Sequence, residues 1–433
     1  MTGVHGGSVH AAAGRGGRNA VLARLRAEAV RSGKVDEDEV LARVAWSTVV
    51  EPGDRDAGEL VGRLGAGRSV RAVLDALDAG PGLLGELLVE AGLPLTDDAE
   101  DDSRAELARQ TAAALVPALD RWRHRVRRLD VDAVLHAAEA VGCSLVLPGD
   151  EDWPPGIDDL GPHAPLVLWR RGGDHLDTRP AVSVVGARAN TVLGAEAAAE
   201  VASAAVDASC LVVSGGAYGI DAVAHRVALG AGAPTVAVLA GGIDQLYPAA
   251  NAPMLRTIAE RGALFAECPP GTRPSRWRFL ARNRLIAAMG TVSVVVEAGA
   301  RSGALNTAHH AGQLGRPVFA VPGPYSSSAS VGCHRLVADR RAELVVHPRD
   351  PADAALRAWS GDDTAVDAEV PITGARVDPD VLRAVDALGR RRPVPLDEVV
   401  RRSGLSLSDA TDALALAELQ GLVERGPTGW RVV

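Results

Sequence analysis

From position 181 onward the chain repeats one pattern: a short, largely apolar run, in most cases rich in valine, then a helical stretch, then another such run. The runs fall at 182–185, 211–213, 235–239, 263–266, 291–296 and 318–321. None alternates apolar with polar residues over its whole length. Both faces of each run must therefore be covered, as parallel strands are. Connections of ten or more residues between most of them make a βαβ series and a doubly wound sheet. At 433 residues the chain has room for about three domains. With 47% hydrophobic residues it has ample material for cores and is not a mostly disordered chain.

The flanks read differently. Residues 1–17 are Gly-, His- and Ala-rich and read as a disordered tail, with no apolar run of a signal peptide. Residues 18–120 carry Ala, Leu and Val at three- and four-residue spacing, broken by Glu51-Pro52-Gly53-Asp54 and Gly65-Ala66-Gly67. They predict a helical domain of the SAM or helix-hairpin-helix kind, with the acidic run 97–102 as an exposed loop or helix start. A basic, Trp-containing stretch (121–128), a helix (131–141) and a short strand (144–147) form a cap on the sheet domain, which is set at 121–348. Residues 349–378 read as a linker. In 379–433, helices at 381–388, 396–403 and 409–420 precede a hairpin, the order of a winged helix. The expected fold class is α/β: an extended Rossmann-like, doubly wound parallel sheet with an N-terminal helical domain and a C-terminal winged-helix domain.

Four cysteines with no CxxC pair are expected to be reduced thiols in the cytoplasm. No run approaches the ~20 apolar residues of a membrane span, so no membrane association is expected. The net charge of −9 argues against a wholly basic nucleic-acid coat, but binding depends on local patches. Between 181 and 347 there are 14 Arg against 10 acidic residues, and from Arg273 to Arg284 there are five Arg and no acid.

In an open parallel sheet, ligands bind beyond the carboxyl ends of the strands. Those ends are rich in Gly or polar residues here. They are Gly186-Ala187-Arg188, then Ser214-Gly215-Gly216-Ala217-Tyr218-Gly219-Ile220-Asp221, then Gly241-Gly242, Glu267-Cys268-Pro269-Pro270-Gly271, Glu297 to Gly303, and Pro322-Gly323. One Gly-rich turn is usually only a tight turn, but several on one rim suit a ligand that backbone must approach closely. Gly215 to Gly219 would free amides as a phosphate-accepting nest at a helix start. Asp221 and His225 are either a helix-dipole carboxylate and a packed histidine, or groups that orient the loop. Arg188 would aim a guanidinium at the same rim. Arg282-Asn283-Arg284, placed at a helix start, would add two forks for phosphate and an amide for a base edge or a phosphate. Ser302 is either an N-cap or, with Gly303, a contact.

Other chemistries lack their motifs. There is no GxGxxG with a following acid, no GxxxxGK[ST] (the one lysine is Lys34) and no GxSxG. His309-His310 cannot chelate from one helix face. No cofactor, metal or catalytic residue is expected.

These strings resemble the DNA-processing protein A (DprA/Smf) family. The resemblance is carried by Val185 to Arg188, Ser214 to His225, Ala240 to Pro248, Phe279 to Ile286, Val296 to Ala298, Ser302 to Ala308, Val321 to Gly323 and Gly332 to Val337, with Pro148-Gly149-Asp150 and Trp153-Pro154 upstream. It implies a binder of single-stranded DNA that hands the strand to the RecA recombinase in natural transformation or recombination, and works as a homodimer. The implied DNA contacts are Gly186, Arg188, Gly215, Gly216, Ala217, Tyr218, Gly219, Arg282, Asn283, Arg284, Ser302 and Gly303, with Ser214 and Asp221 in the same loop. The implied dimer contacts are Leu336 and Val337. Tyr218 stands where members often have a small or basic residue, and either stacks on a base or narrows the pocket. Ala187 replaces a common Ser. With 3% aromatics, affinity is expected to come mainly from phosphates.

Two rival readings are a lysine-decarboxylase-like Rossmann nucleotide-phosphate hydrolase, whose PGGxGTxxE motif is absent, and a duplex-reading regulator. The latter's recognition helix, 409–420, has three acids and no Arg or Lys, which suits a protein contact better than a polyanion.

Overall fold

A computed structural model describes residues 37–92, 101–173, 179–361, 378–389 and 392–433. The expected tail at 1–17, most of the acidic run and most of the expected linker lie outside the described residues.

The N-terminal helices are α1 (Glu37–Val49), α2 (Arg55–Leu64), α3 (Ala66–Ala79), α4 (Gly82–Gly92) and α5 (Asp101–Val126), followed by α6 (Val131–Ala140). Their core is built on Trp46 and Trp122, which meet edge to face at 5.1 Å. Each indole N–H has a partner. Trp46 donates to Ser69 Oγ at 2.9 Å, and Trp122 donates to Asp54 Oδ2 at 3.0 Å. Asp54 also caps α2 by accepting from the Ala57 amide. Trp122 belongs to α5, so the boundary expected at 120 falls inside one continuous helix.

The sheet has nine strands: β1 (Ser144–Val146), β2 (Leu168–Gly172), β3 (Ala181–Val185), β4 (Leu211–Ser214), β5 (Thr235–Gly242), β6 (Ala263–Cys268), β7 (Val292–Val295), β8 (Val318–Ala320) and β9 (Glu343–Leu344). Their spatial order is β1-β2-β6-β5-β4-β3-β7-β8-β9. From β6 to β9 every pairing is parallel, while β1 and β2 add antiparallel strands at the β6 edge. All six runs are strands. The two-residue period sends Val182 and Val184 to one face, and Ala181 and Val185 to the other. One face is covered by α7 (Val192–Asp207), α8 (Ile220–Gly230) and a later helix described below. The other is covered by α10 (Arg276–Met289), α11 (Ala304–Gln313) and α12 (Val331–Ala338), and α9 (Ala252–Arg261) lies toward the antiparallel end. The chain leaves β3 toward β4, β5 and β6, then returns to β7 on the other side. The switch point therefore lies between β3 and β7.

The expected linker at 349 begins instead with α13 (Asp350–Ser360). Pro351 sits in its first turn, where a missing N–H costs nothing. Ala352, Ala354 and Ala355 are buried against the sheet, so the sheet domain extends past 348.

The C-terminal unit has α14 (Pro379–Asp386), α15 (Leu396–Ser403), α16 (Leu407–Leu419) and the hairpin β10 (Val423–Gly426) and β11 (Gly429–Val432). It docks on both other units. Arg55 pairs with Asp380 at 2.8 Å, Arg383 donates to His163 Nδ1 at 2.7 Å, and Trp277 of α10 packs on its core beneath Arg402. Burial lowers the affinity of the His163 imidazole for a second proton, which fits its acceptor role toward Arg383.

Candidate nucleic-acid interface

The loops after β3 and β4 lie side by side at the switch point. Gly219 enters α8 at φ +80°, and a Cβ there would stand 2.1 Å from the Ala187 carbonyl oxygen. Only glycine lets the two loops approach this closely. Beside it, the Ile220 amide donates to that same carbonyl at 3.2 Å.

The β4 loop is held from below. Ser214 donates to the Val184 carbonyl at 2.6 Å. Asp221 accepts from the amides of Gly215 and Ala217 at 3.2 and 3.3 Å. Asn251, which is buried, donates to the carbonyls of Gly216 and Ala217 at 3.1 and 3.0 Å. The nest expected from 215 to 219 is therefore partly occupied by the protein's own carboxylate. The amides of Gly216, Tyr218 and Gly219 have no protein acceptor among the described residues.

Arg282 and Arg284 are not forks on the surface. The expected helix start near 285 is wrong: α10 begins at Arg276, capped by Ser275, and the Arg-Asn-Arg triplet lies inside it. Arg282 is 5% exposed and donates to the carbonyls of Gly215, at 2.8 Å, and Val238. Burial pulls its guanidinium down to about 10, with the Asp221 charge opposing, so it stays a cation at neutral pH. Burial also raises the Asp221 carboxyl, and Arg282 is the foremost influence holding it down. His225 is fully buried against Thr235, and burial with the nearby Arg282 lowers it to about 3. It is a neutral packed histidine. Arg284 is 4% exposed and pairs with Glu267 at 2.7 Å, while Glu267 also accepts from the Gly53 amide at 2.9 Å. Its role is to fix the N-terminal helices to the sheet.

Asn283 turns toward the loop after β7. It donates to the Gly303 carbonyl at 3.3 Å and to Asn306 Oδ1 at 3.2 Å. Ser302 accepts from the Ala304 amide at 3.3 Å, at the start of α11, while Gly303 is exposed. Gly186 is partly covered. A Cβ there would meet Ile220 at 2.5 Å and the Glu297 carbonyl oxygen at 3.1 Å. Leu336 is 4% exposed and belongs to the sheet core with Cys333, and Val337 packs partly against the same core. The face of α12 expected at a dimer surface points inward, because 333 and 336 share one helical stripe.

Arg188 is exposed, and its guanidinium lies 4.8 Å from the ring centre of Phe279. Phe279 meets Tyr247 at 5.6 Å between ring centres. Tyr247 is 48% exposed and Tyr218 45%. Phe279, Tyr247 and Asn251 were not among the residues expected at the rim. Aromatics are few in the chain as a whole, yet two of its three tyrosines and one of its three phenylalanines sit on this rim. That concentration is the signal.

A family model described as DNA recombination-mediator protein A matches residues 144–355, and one for the DprA winged helix domain matches 371–429. A Mycobacterium tuberculosis protein bearing the DprA name is 42% identical over 328 residues, covering 72% of this chain and 83% of that one. The chain belongs to the DprA/Smf family. Protein Smf of Escherichia coli is 30% identical over 316 residues, covering 70% and 81%. The X-ray structure of DprA from Streptococcus pneumoniae superposes with a TM-score of 0.50 at 28% identity, covering 69% of this chain and 94% of that one. Both DprA segments, sheet domain and winged helix, are thus present. As a DprA/Smf protein the chain is a DNA-processing recombination mediator. Among the described residues no His/Cys/Asp/Glu group could hold a metal, and no helix is long and apolar enough to cross a membrane.

Proposed function

We propose that the rim between β3, β4 and α10 binds single-stranded DNA without reading its sequence, and that the protein delivers the strand to the RecA recombinase. The observation that carries this is the exposed Arg188 guanidinium laid on Phe279 beside Tyr247, next to loop amides without protein acceptors. Arg188 and the amides of Gly216, Tyr218 and Gly219 contact phosphates. Phe279, Tyr247 and Tyr218 offer faces to bases, and stacking on an aromatic tolerates any base. A paired duplex hides its bases from such faces. Arg282, Asn283, Asp221 and Ser214 act as positioning residues beneath the loops.

Binding proceeds without bond cleavage. The carboxylates at the rim are engaged: Glu297 accepts from the Thr191 hydroxyl and amide at 2.6 and 2.9 Å, and Asp221 accepts from loop amides. That arrangement disfavours the nucleotide-hydrolase reading. The winged helix serves a protein contact, since α16 exposes Leu416 and Leu419 beside Asp412 and Glu418. The protein acts as a homodimer in the cytoplasm. Exposed Leu344 and Val346 at the β9 edge supply an apolar contact, and four unpaired buried cysteines suit a reducing compartment.

Fluorescence anisotropy of labelled single strands, competed with unlabelled single strands and with duplex, tests the reading. Competition by single strands of any sequence and not by duplex supports it. Equal competition by duplex counts against it.

A further inference from the structure

A second basic site lies between the N-terminal helices and the sheet domain. It is a cleft of about 370 Å³, within the range of ligand clefts. His124 and Arg125 from the last turn of α5, with Arg128 just beyond it, line one wall, and Arg278 of α10 with Thr272 lines the other. The one acidic lining residue is Glu51. Glu51 is already shared: Arg278 donates to it at 3.2 and 3.1 Å, and Arg125 pairs with it too. Three arginines against one carboxylate leave a surplus of two positive charges. Arg128 is exposed and has no ion pair among the described residues. Like charges brought together from two domains repel unless an anion joins them.

The cleft lies at the carboxyl end of β6, beside the ends of β5 and β4: the carbonyl of its lining residue Thr272 accepts from the Gly242 amide at the end of β5 at 2.8 Å. Arg278 and Phe279 are successive residues of α10, and Arg273 and Arg276 are exposed just before them. We propose that the cleft is a phosphate subsite that receives the DNA strand as it leaves the Arg188–Phe279 rim, so that the N-terminal helices lengthen the binding site. This rests on the single-strand reading of the rim. A backbone running over the first two turns of α10 passes from stacked bases to a channel with guanidinium groups on both walls, where phosphate is bound by charge and forked donors.

The test uses the full chain and two labelled oligothymidines, of about 6 and about 20 nucleotides, over a salt series. The short one spans the rim alone. Arg128→Ala is expected to leave its binding unchanged, to weaken the long one about 3- to 10-fold, and to make the salt slope shallower by ~0.7. Glu51→Gln, which releases Arg125 and Arg278, is expected to tighten the long one. Equal affinity and slope for wild type and Arg128→Ala on the long strand would overturn the proposal. So would thermal stabilisation by inorganic phosphate that Arg128→Ala abolishes while long-strand affinity stays unchanged, because the site would then serve free anions. Failure of the rim reading looks different: Arg188→Ala would leave both oligonucleotides unaffected.

Discussion

Arg282 lies directly beneath Gly215. Its guanidinium donates to the Gly215 carbonyl at 2.8 Å, and a Cβ on residue 215 would stand 2.4 Å from its terminal nitrogens. A buried cation thus holds the loop that the rim presents to solvent. The same guanidinium reaches Val238 on β5, and its charge lies near Asp221 at the start of α8.

Removing that cation should damage the fold before it damages binding. Arg282→Ala leaves the Gly215 and Val238 carbonyls and the Asp221 carboxylate without their cation, a loss of about 2–5 kcal/mol. Thermal unfolding is expected to show a clear drop in Tm. Arg188→Ala, in contrast, should unfold like wild type, since Arg188 is exposed. Matching Tm values for wild type and Arg282→Ala would disprove the buried role.

Gly219→Ala is expected to be costly and Gly230→Ala to be nearly silent. At 219 the left-handed φ and the Ala187 carbonyl both oppose a side chain, whereas at 230 a Cβ meets nothing within 4 Å. Strain of ~1–3 kcal/mol should push the two rim loops apart. The measurement is DNA affinity by anisotropy alongside Tm. Loss of both in Gly219→Ala and of neither in Gly230→Ala is the expected pair of results.

Phe279→Ala should remove a stacking face and leave Arg188 without its support. A loss of about 1–3 kcal/mol in binding a single strand is expected, with little change in salt slope, because no charge is removed. Tyr247→Ala should show a smaller effect in the same direction. A salt slope that falls as far as in Arg188→Ala would mean the ring acts only by placing the guanidinium.

The docking of the winged helix should depend on pH through Asp386. Asn306 donates to this carboxyl at 2.6 Å, and loss of hydration pushes it up to about 7, against the pull of Asn306 and Arg276. Docked, the carboxyl holds its proton to higher pH than it does when released. Docking is therefore strongest below about pH 4, weakens as pH rises from there to about 7, and is flat above. Asp386→Asn should abolish that dependence. Its Tm advantage over wild type should grow from acid to neutral pH and then level off; a constant difference would disprove the linkage.

The sheet was legible because a short valine-rich run such as Val182-Ser183-Val184-Val185 admits little but a strand covered on both faces. The Gly219 loop was legible for a similar local reason. The roles of Arg282 and Arg284 were not. Their partners, Gly215, Val238 and Glu267, lie 67, 44 and 17 residues away, and no local pattern marks an arginine that points inward. Placing Arg282-Asn283-Arg284 at a helix start also hid the first two turns of α10, although Ser275 offers a cap. The stretch from 349, read as a linker, opens instead with α13, whose first turn accommodates Pro351.

The most direct test of the account is the affinity of wild type and Arg188→Ala for single strands and for duplex of the same sequence, over a salt series. The account predicts that wild type favours the single strand, and that Arg188→Ala weakens it for every sequence alike, with a slope shallower by ~0.7. Wild type binding duplex as tightly as single strand, with Arg188→Ala indistinguishable from it, would contradict the account.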